Sequence, residues 1–321
     1  MATGDPYNSR LEGVGLGIEA TPGVAVAPQV WMRWRTNELQ PTNTIIENDS
    51  AMGRIERVND SASVGGGAAG QLGGKVTSDV IGYLLLGMYG AVSSSSNGDG
   101  TYTHAYSVNP SSIAKTLTTT TQSPIQTKRH PSTVFENLEI SAERGGWVEV
   151  STAALAHPGT VVPADTMAFP DEDEFTAADV TVKMADSVAN LDAADLLKAR
   201  IVKLIPERSS ERDDALGTKD APDFDRGDWE VKGELTLKLR DTVYEENFIA
   251  NTARAFRVTM SNGDTTLTFT APKTRIRELS KSRSLGEIVT VTLSLYFELD
   301  ASTGETLTPT LTNTTSAYVA A

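Results

Sequence analysis

The chain has 321 residues, no cysteine and a formal net charge of −14. This excludes a disulfide framework and disfavours adhesive contact with nucleic acid or an anionic membrane surface. The first residues lack a basic region followed by an apolar core, and the longest apolar run, Val80–Tyr89, is far too short to span a bilayer. The sequence therefore predicts a soluble protein, made in a reducing cytoplasm and not exported by a cleaved signal.

The first structural unit is predicted between residues 68 and 155. A loosely alternating stretch at 70–76 indicates a strand, and Thr-Ser-Asp at 77–79 precedes an apolar helix over Val80–Tyr89. Further strands are predicted at residues 102–108, 115–121, 135–142 and 147–155. This order is typical of an antiparallel sandwich or barrel with one inserted helix.

A boundary is predicted after this unit. Residues 158–179 are rich in Pro, Thr, Asp and Ala and carry the acidic run Asp-Glu-Asp-Glu at 171–174, which is typical of a linker. Residues 190–199 predict a short helix with Leu191, Leu196 and Leu197 as a partial apolar face, and residues 200–205 predict a strand. We therefore divide the chain into a first unit with an N-terminal arm (1–157), a linker (158–179) and a second unit with a C-terminal arm (180–321).

The second unit repeats the plan with a clearer pattern. Between Trp229 and Arg240 apolar and polar residues alternate, as in a half-buried strand, and Asp241 or Thr242 then caps a helix that runs to Thr252. Strands follow at 256–260, 265–271, 274–279 and 288–300, with the hairpin signal Asn262-Gly263 between the first two. The repeated order predicts two tandem mainly-β units, an arrangement that favours assembly over catalysis.

Long polar connections precede the helix-linked strand of each unit, at residues 47–67 and 207–230. Loops of this length are uncommon in compact domains unless they are functional or disordered, and their equivalent positions favour function. Residues 306–321 form a Thr- and Ala-rich tail of a kind that frays in a monomer, so we expect a neighbouring subunit to hold it.

Several segments resemble a known family. The motif Gly-Ile-Glu-Ala-Thr-Pro-Gly at residues 17–23 and the residues that follow it to Pro28 are similar to the N-terminal segment of tail tube proteins from long-tailed, non-contractile bacteriophages. Residues 49–56, 74–77 and 79–86 are similar to segments that come after this opening in members of that family. The resemblance covers most of the chain in order and is strongest over the first 110 residues.

The resemblance implies a tube-type β-sandwich whose copies form six-fold rings around a lumen that conducts phage DNA from capsid to host. A chain with two sandwiches would form trimeric rings with pseudo-six-fold symmetry, and a chain with one would form hexamers. Tape-measure and tail terminator proteins are the partners expected besides the chain itself, in the virion, with no membrane partner. Long loops and terminal arms would stack the rings, and the charged candidates in the two loops are Glu47, Asp49, Arg54, Glu56, Arg57, Glu211, Asp213, Asp214, Asp220, Asp223 and Asp225.

A lumen that passes an anionic polymer should carry carboxylates and neutral polar groups with few uncompensated bases, because each captured phosphate would slow passage. The candidates for the lumen wall lie on the polar faces of two strands: Glu230, Glu234, Thr236, Thr290, Thr292 and Ser294. Lys232 and Lys238 share this face, and pairing with the glutamates would neutralise them. The alternative is a face that is merely solvated.

Other sites have little support in the sequence. His104, His130 and His157 lack metal-ligand spacing, and the acidic run at 171–174 lacks the Gly turn of a calcium loop, so a solvated acidic loop is favoured. No phosphate-binding Gly-Lys-Ser/Thr motif occurs, and no catalytic constellation can be assembled. We expect no enzyme activity and no cofactor. The alternative to a tube subunit is a β-rich adhesin or carbohydrate-binding tail module, which would need an exposed aromatic cluster.

Overall fold

The computed structural model describes residues 6–112, 115–213, 216–219 and 224–320. The chain is mainly β, as predicted, and its strands are antiparallel. Up to residue 162 the strands are β1 (Gly13–Ile18), β2 (Val30–Met32), β3 (Trp34–Asn37), β4 (Gln40–Asn48), β5 (Asp60–Lys75), β6 (Gly90–Ser96), β7 (Tyr102–Val108), β8 (Leu117–Gln122), β9 (Thr127–Phe135), β10 (Glu139–Glu143), β11 (Val148–Ala156) and β12 (Thr160–Val162). From residue 180 they are β13 (Val180–Ala185), β14 (Ala199–Arg212), β15 (Phe224–Lys238), β16 (Arg254–Asn262), β17 (Thr265–Ser282), β18 (Thr290–Phe297) and β19 (Thr308–Asn313). The helices are α1 (Val80–Tyr89) and α2 (Val243–Ile249), with 3-10 turns at Ser9–Leu11 and Val188–Asn190.

One broad sheet organises the molecule. Its strands lie in the order β3 and β4 together, then β5, β11, β10, β14, β15, β18 and the C-terminal half of β17. Strand β10 pairs with β14, so the sheet runs without interruption from the N-terminal to the C-terminal half of the chain. One face is apolar, since Val150, Val202, Leu235 and Leu293 are all buried.

The pairing in the two halves follows one plan. Strand β5 leads into α1 and pairs with β11, as β15 leads into α2 and pairs with β18. Register shifts occur at corresponding points of the two sets of strands: Trp34/Thr36 and Ala199/Ile201, Thr44/Ile45 and Arg208/Ser210, Leu117/Thr119 and Arg254/Phe256. The hairpin turns β10–β11 and β17–β18 each hold a glycine in the left-handed region, Gly145 and Gly286.

Helix α1 is buried at every residue and has the predicted bounds. Gly82 permits close contact with the ring of Tyr318, which a Cβ at this position would meet at 2.0 Å. Helix α2, predicted from a cap at Asp241 or Thr242 to Thr252, ends three residues earlier and contains no buried residue. The two helices therefore follow equivalent strands but differ in how much of each is covered.

The C-terminal tail is held by its own chain. Strand β19 lies between β17 and β7, and beyond it Tyr318 is buried against α1. The amide of Asn313 donates to Ser78 O at 2.8 Å and to Tyr318 Oη at 2.7 Å, and Thr315 Oγ1 donates to Asp79 Oδ1 at 2.9 Å. The expectation that a neighbouring subunit holds this tail is therefore wrong for residues 306–320.

Three other local predictions need correction. Residues 190–199 do not form the predicted helix, because this segment pairs with the edge of β13: Leu196 lies opposite Lys183, and Leu197 N donates to Val182 O at 2.9 Å. The strands predicted at 265–271 and 274–279 are one strand, β17, with a register shift between Ile276 and Glu278. The polar connections at 47–67 and 207–230 are largely the arms of two β-hairpins.

Candidate assembly surfaces

The polar face of the broad sheet brings the six predicted lumen residues together. Glu230, Glu234 and Thr236 on β15 and Thr290, Thr292 and Ser294 on β18 are half-buried and share the face opposite the apolar core. Glu234 lies opposite Ser294 across the strand pair, and the Thr236 and Thr292 hydroxyls are 3.0 Å apart. Together with Lys232, which lies between Glu230 and Glu234, and Lys238, which lies opposite Thr290, the six residues form one continuous polar patch.

Acidic partners neutralise several bases on this face. Lys232 Nζ lies 2.8 Å from Glu207 Oε2 and 3.1 Å from Glu230 Oε2, and hydrogen bonds to these two carboxylates raise the pKa of Lys232. Arg35 pairs with Glu149, and Lys203 Nζ lies 3.8 Å from Glu139 Oε1. The predicted pairing of Lys232 with a neighbouring glutamate is observed. The same prediction for Lys238 is wrong, since no carboxylate among the described residues lies within 4.0 Å of its Nζ.

Two β-hairpins extend from one end of the sheet. The first is formed by β4 and the start of β5, and every residue of β4 is exposed. The second is formed by the end of β14 and the start of β15. They touch where Gly66 N donates to Lys219 O at 3.2 Å. We call these two features the first arm (residues 40–67) and the second arm (residues 207–213, 216–219 and 224–229).

The predicted stacking residues lie on these arms. In the first arm Glu47 lies on β4, while Asp49, Arg54, Glu56 and Arg57 lie in its tip, and all five are exposed. In the second arm Glu211 lies on β14 and Asp225 on β15, with Asp213 just after β14, and these three are exposed. Asp214, Asp220 and Asp223 lie outside the described residues.

The first arm also exposes apolar side chains that the sequence interpretation missed. They are Ile45, Ile46, Met52, Ile55, Val58 and Val64. In the sequence these side chains are isolated apolar residues within a polar stretch. Such a pattern does not distinguish an exposed hairpin from a solvated loop. Six exposed apolar side chains on one hairpin make this arm a candidate contact surface.

The opposite end of the sheet carries a cavity of about 560 Å³. The turn between β10 and β11, residues 176–178, Val180, Val182 and residues 197–202 line it. Its charged lining residues are Arg144, Lys198, Arg200 and Glu143, so bases predominate. Acids predominate on the first arm, where Glu47, Asp49, Glu56 and Asp60 outnumber Arg54 and Arg57. The two ends of the sheet are therefore complementary in charge, and Leu285 and Ile288 add exposed apolar surface to the basic end.

The acidic run at 171–174 serves the fold. Glu172 is buried, and burial raises its pKa. Glu174 accepts from Lys75 Nζ at 2.8 Å and Arg33 Nη1 at 3.3 Å, and hydrogen bonding to Lys75 contributes most to a lowered pKa of Glu174. Asp173 accepts from Thr265 Oγ1 at 2.8 Å. The expectation of a solvated acidic loop is wrong for these three residues.

His104 and His130 have different local partners. His104 is buried, with Nδ1 2.7 Å from Ser94 Oγ and Nε2 2.9 Å from Thr315 O, while His130 Nε2 lies 3.4 Å from Thr121 Oγ1. Burial lowers the pKa of both. Within the described ranges, no group of three His, Asp or Glu residues is arranged to hold a metal ion. Neither helix there is long and apolar enough to cross a membrane.

In the part of the chain that the structure describes, strand edges without an outer partner, exposed hairpins and a polar sheet face define a β-rich protein suited to pairing with other chains. The family model of the phage tail tube protein matches residues 9–298, and the chain belongs to this family. It is therefore a structural tail protein of a family that self-assembles into a tube and forms part of the virion. A search of curated proteins found no match.

Proposed function

We propose that this chain is the major tail tube subunit and that it consists of two tandem copies of one β unit, residues 1–157 and 180–321, joined by a linker. The matched register shifts and the matched positive-φ glycines, Gly145 and Gly286, support two copies. Three such chains would form a ring with pseudo-six-fold symmetry.

The observation that carries this proposal is the open sheet. Among the described residues, β3 and β4 at one edge and the C-terminal half of β17 at the other have no outer strand partner. Closing three such sheets edge to edge leaves no free edge. With strands about 4.8 Å apart and tilted by about 40°, this barrel would be roughly 50 Å across, wide enough for a DNA double helix.

In this ring the polar face of the sheet lines the lumen. The patch of Glu230, Glu234, Thr236, Thr290, Thr292 and Ser294 and the paired bases beside it support this placement. Phosphates gain little from bases that are already neutralised, so DNA would pass without specific binding. The tube would conduct DNA from capsid to host in the virion after synthesis in the host cytoplasm, with tape-measure and tail terminator proteins limiting its growth.

Ring stacking is proposed to join the two ends of the sheet. The acidic first arm with its apolar tip would contact the basic, cavity-bearing end of the next ring. Opposite charges guide such contacts and set their register, while buried apolar side chains contribute most of the affinity.

Electron microscopy of the concentrated protein tests the function. We expect hollow tubes whose cross-sections show three chains in a six-lobed ring. Six chains per ring would retain the tube and overturn the tandem copies, and discrete particles under every assembly condition would overturn the function.

One variant tests stacking separately. Ile55→Asp places a charge in the exposed tip of the first arm, and we expect rings to form while tubes do not. Ile125→Asp is the matched control, since Ile125 is exposed on the β8–β9 turn, outside both arms. If tubes of the Ile55→Asp protein were as long as those of the control, the first arm would not be a stacking contact.

A further inference from the structure

The joint between the two halves of the chain is a stretch of strand pairing, which we call the seam. It spans residues 136–144 and 200–208, with Ser141 opposite Lys203. Flanking hydrogen bonds extend it, from Leu138 N to Pro206 O at 3.0 Å, Arg208 N to Glu136 O at 2.8 Å and Arg144 N to Arg200 O at 2.9 Å. The seam fuses the strands of one half to those of the other in a defined register.

Each side of the seam has a counterpart elsewhere in the chain. Strand β10 precedes the hairpin turn at Gly145 and pairs with β11, as the C-terminal half of β17 precedes the turn at Gly286 and pairs with β18. In both turns the last residue bonds back across the turn, Gly146 N to Glu143 O at 2.9 Å and Glu287 N to Ser284 O at 3.1 Å. Residues 136–144 therefore correspond to residues 277–285.

The other side of the seam corresponds to the first edge of the sheet. Trp34 is equivalent to Ala199, because each is the last residue before a register shift. Each also lies opposite the matching residue of its partner strand. Counting along the strands from these two residues, the pair Pro41 and Ala68 is equivalent to the pair Pro206 and Val231. Residues 200–208 therefore correspond to residues 35–43.

Both counterparts are free edges. Within the first range Glu278–Ser282 pair with β18, and within the second Thr36–Asn37 and Gln40–Asn43 pair with β5, with Glu38 N donating to Gln71 O at 2.8 Å between them. In the described part of the chain, no strand pairs with the outer sides of these residues. The seam thus joins two surfaces within the chain whose equivalents remain open at the chain's two outer edges.

We propose that the contact between neighbouring chains repeats the seam, so that residues 277–285 pair antiparallel with residues 35–43 of the next copy, with Ser282 opposite Glu38. This rests on the proposed ring and specifies its register. Leu279 N would donate to Pro41 O of the next copy, as Leu138 N donates to Pro206 O, and Pro41 would not need the backbone N–H that proline lacks.

The side chains fit this register. On the polar face, Ser280, Ser282 and Ser284 would lie opposite Gln40, Glu38 and Thr36, so no like charges would lie opposite each other across the contact. On the apolar face, Lys281, which is paired with Glu245 of α2, would lie opposite Leu39. Leu39 is buried, as is its counterpart Leu204, so this side of the edge already faces the core.

Cysteine cross-linking tests the register, because the chain has no cysteine of its own. In assembled protein, oxidation of the double variant Ser282→Cys with Glu38→Cys should link chains to one another. Directly opposed residues have Cβ atoms within disulfide range, whereas a shift of two residues does not. Ser282→Cys with Gln40→Cys should therefore cross-link at least about tenfold less.

The control within one chain is Ser141→Cys with Lys203→Cys, which are directly opposed in the seam and should form an intrachain disulfide under the same conditions. If rings and tubes form but the Ser282 and Glu38 pair does not cross-link more than the shifted pair, the register is wrong and the tube function stands. If the wild-type chain never assembles, both the function and the register fail.

Amide hydrogen exchange of the wild-type protein tests the same contact without any variant, so the test holds even if the cysteine variants fail to assemble. Residues 277–285 and 35–43 should exchange at least about tenfold more slowly in tubes than in unassembled chains. Residues 136–144 should be protected in both states, because the seam is already formed. Unchanged exchange at either outer edge on assembly would overturn the proposal.

Discussion

Helices α1 and α2 occupy matching places in the two halves, but one is core and the other is surface. All ten residues of α1 are buried, whereas α2 buries none and exposes Phe248 and Ile249. Helix α1 packs against β1, β2, β6, β7 and β9 and is covered by Tyr318 of the tail, whereas α2 packs against β17 and only four residues separate α2 from β16. One strand plan can therefore carry either a buried or an open helix, depending on what the chain adds outside it.

Removing the C-terminal segment that covers α1 should lower the free energy of unfolding more than any other change. Truncation after residue 305 deletes β19, which pairs on both sides, and also Tyr318. We expect the free energy of unfolding to fall by more than about 5 kcal/mol or the protein to be insoluble, because two strand pairings and a buried aromatic ring are lost together. Chemical denaturation monitored by circular dichroism measures this. Val319→Ser, at an exposed position of the same tail, should change the value by less than about 0.5 kcal/mol.

A pair of substitutions compares the helices directly. Leu84→Ala in α1 removes a side chain that is 0% exposed and should cost about 3 kcal/mol, since the surrounding core cannot close the cavity. Ile249→Ala in α2 removes a side chain that is 76% exposed and should cost less than about 0.5 kcal/mol. Urea unfolding of the two variants measures the difference. Equal losses would show that α2 is covered in solution, for example by another copy of the chain.

A buried carboxylate distinguishes the first half further. Glu19 accepts hydrogen bonds from Thr116 Oγ1 at 2.7 Å, Thr118 Oγ1 at 2.7 Å and Ser132 N at 2.9 Å. No Asp or Glu is buried within the described residues from 180 onward. Glu19→Gln replaces an acceptor oxygen with a donor among these donors and should cost about 2 kcal/mol. Glu305→Gln, at an exposed site outside the proposed contacts, is the matched control, and a loss no greater than in this control would contradict the role of Glu19.

The sequence pattern predicted the parts of the fold in which burial alternates or is complete. The bounds of α1 follow from an unbroken apolar run, and the β16–β17 hairpin follows from Asn262-Gly263, where Gly263 adopts positive φ. The polar face of β15 and β18 followed from the same alternation. These elements are specified by their own residues.

The arms and the tail could not be predicted in this way. The exposed strand β4 has no buried face, and the glycines at 65–67 disfavour a strand by intrinsic propensity. Their pairing depends on backbone hydrogen bonds to a neighbour strand. Strand β19 likewise depends on partners distant in sequence, β7 and β17. The register shifts in the two halves leave no pattern in the sequence, because they are properties of strand pairs.

Acidification should lower the free energy of unfolding of the half that contains α1, by less than the substitutions above. Burial lowers the pKa of His104, so the unfolded chain binds a proton more readily than the folded chain. The stabilisation is complete above the ordinary histidine pKa of about 6.5 and is lost as the pH falls through the lowered pKa, with a slope of at most about 1.4 kcal/mol per pH unit for one proton. The lowered pKa of His130 acts in the same direction. Denaturation midpoints between pH 8 and 5 measure the sum, and His104→Gln, which can still bond Ser94 and Thr315, should reduce the pH dependence. An unchanged slope in this variant would mean that His104 does not report on the cover over α1.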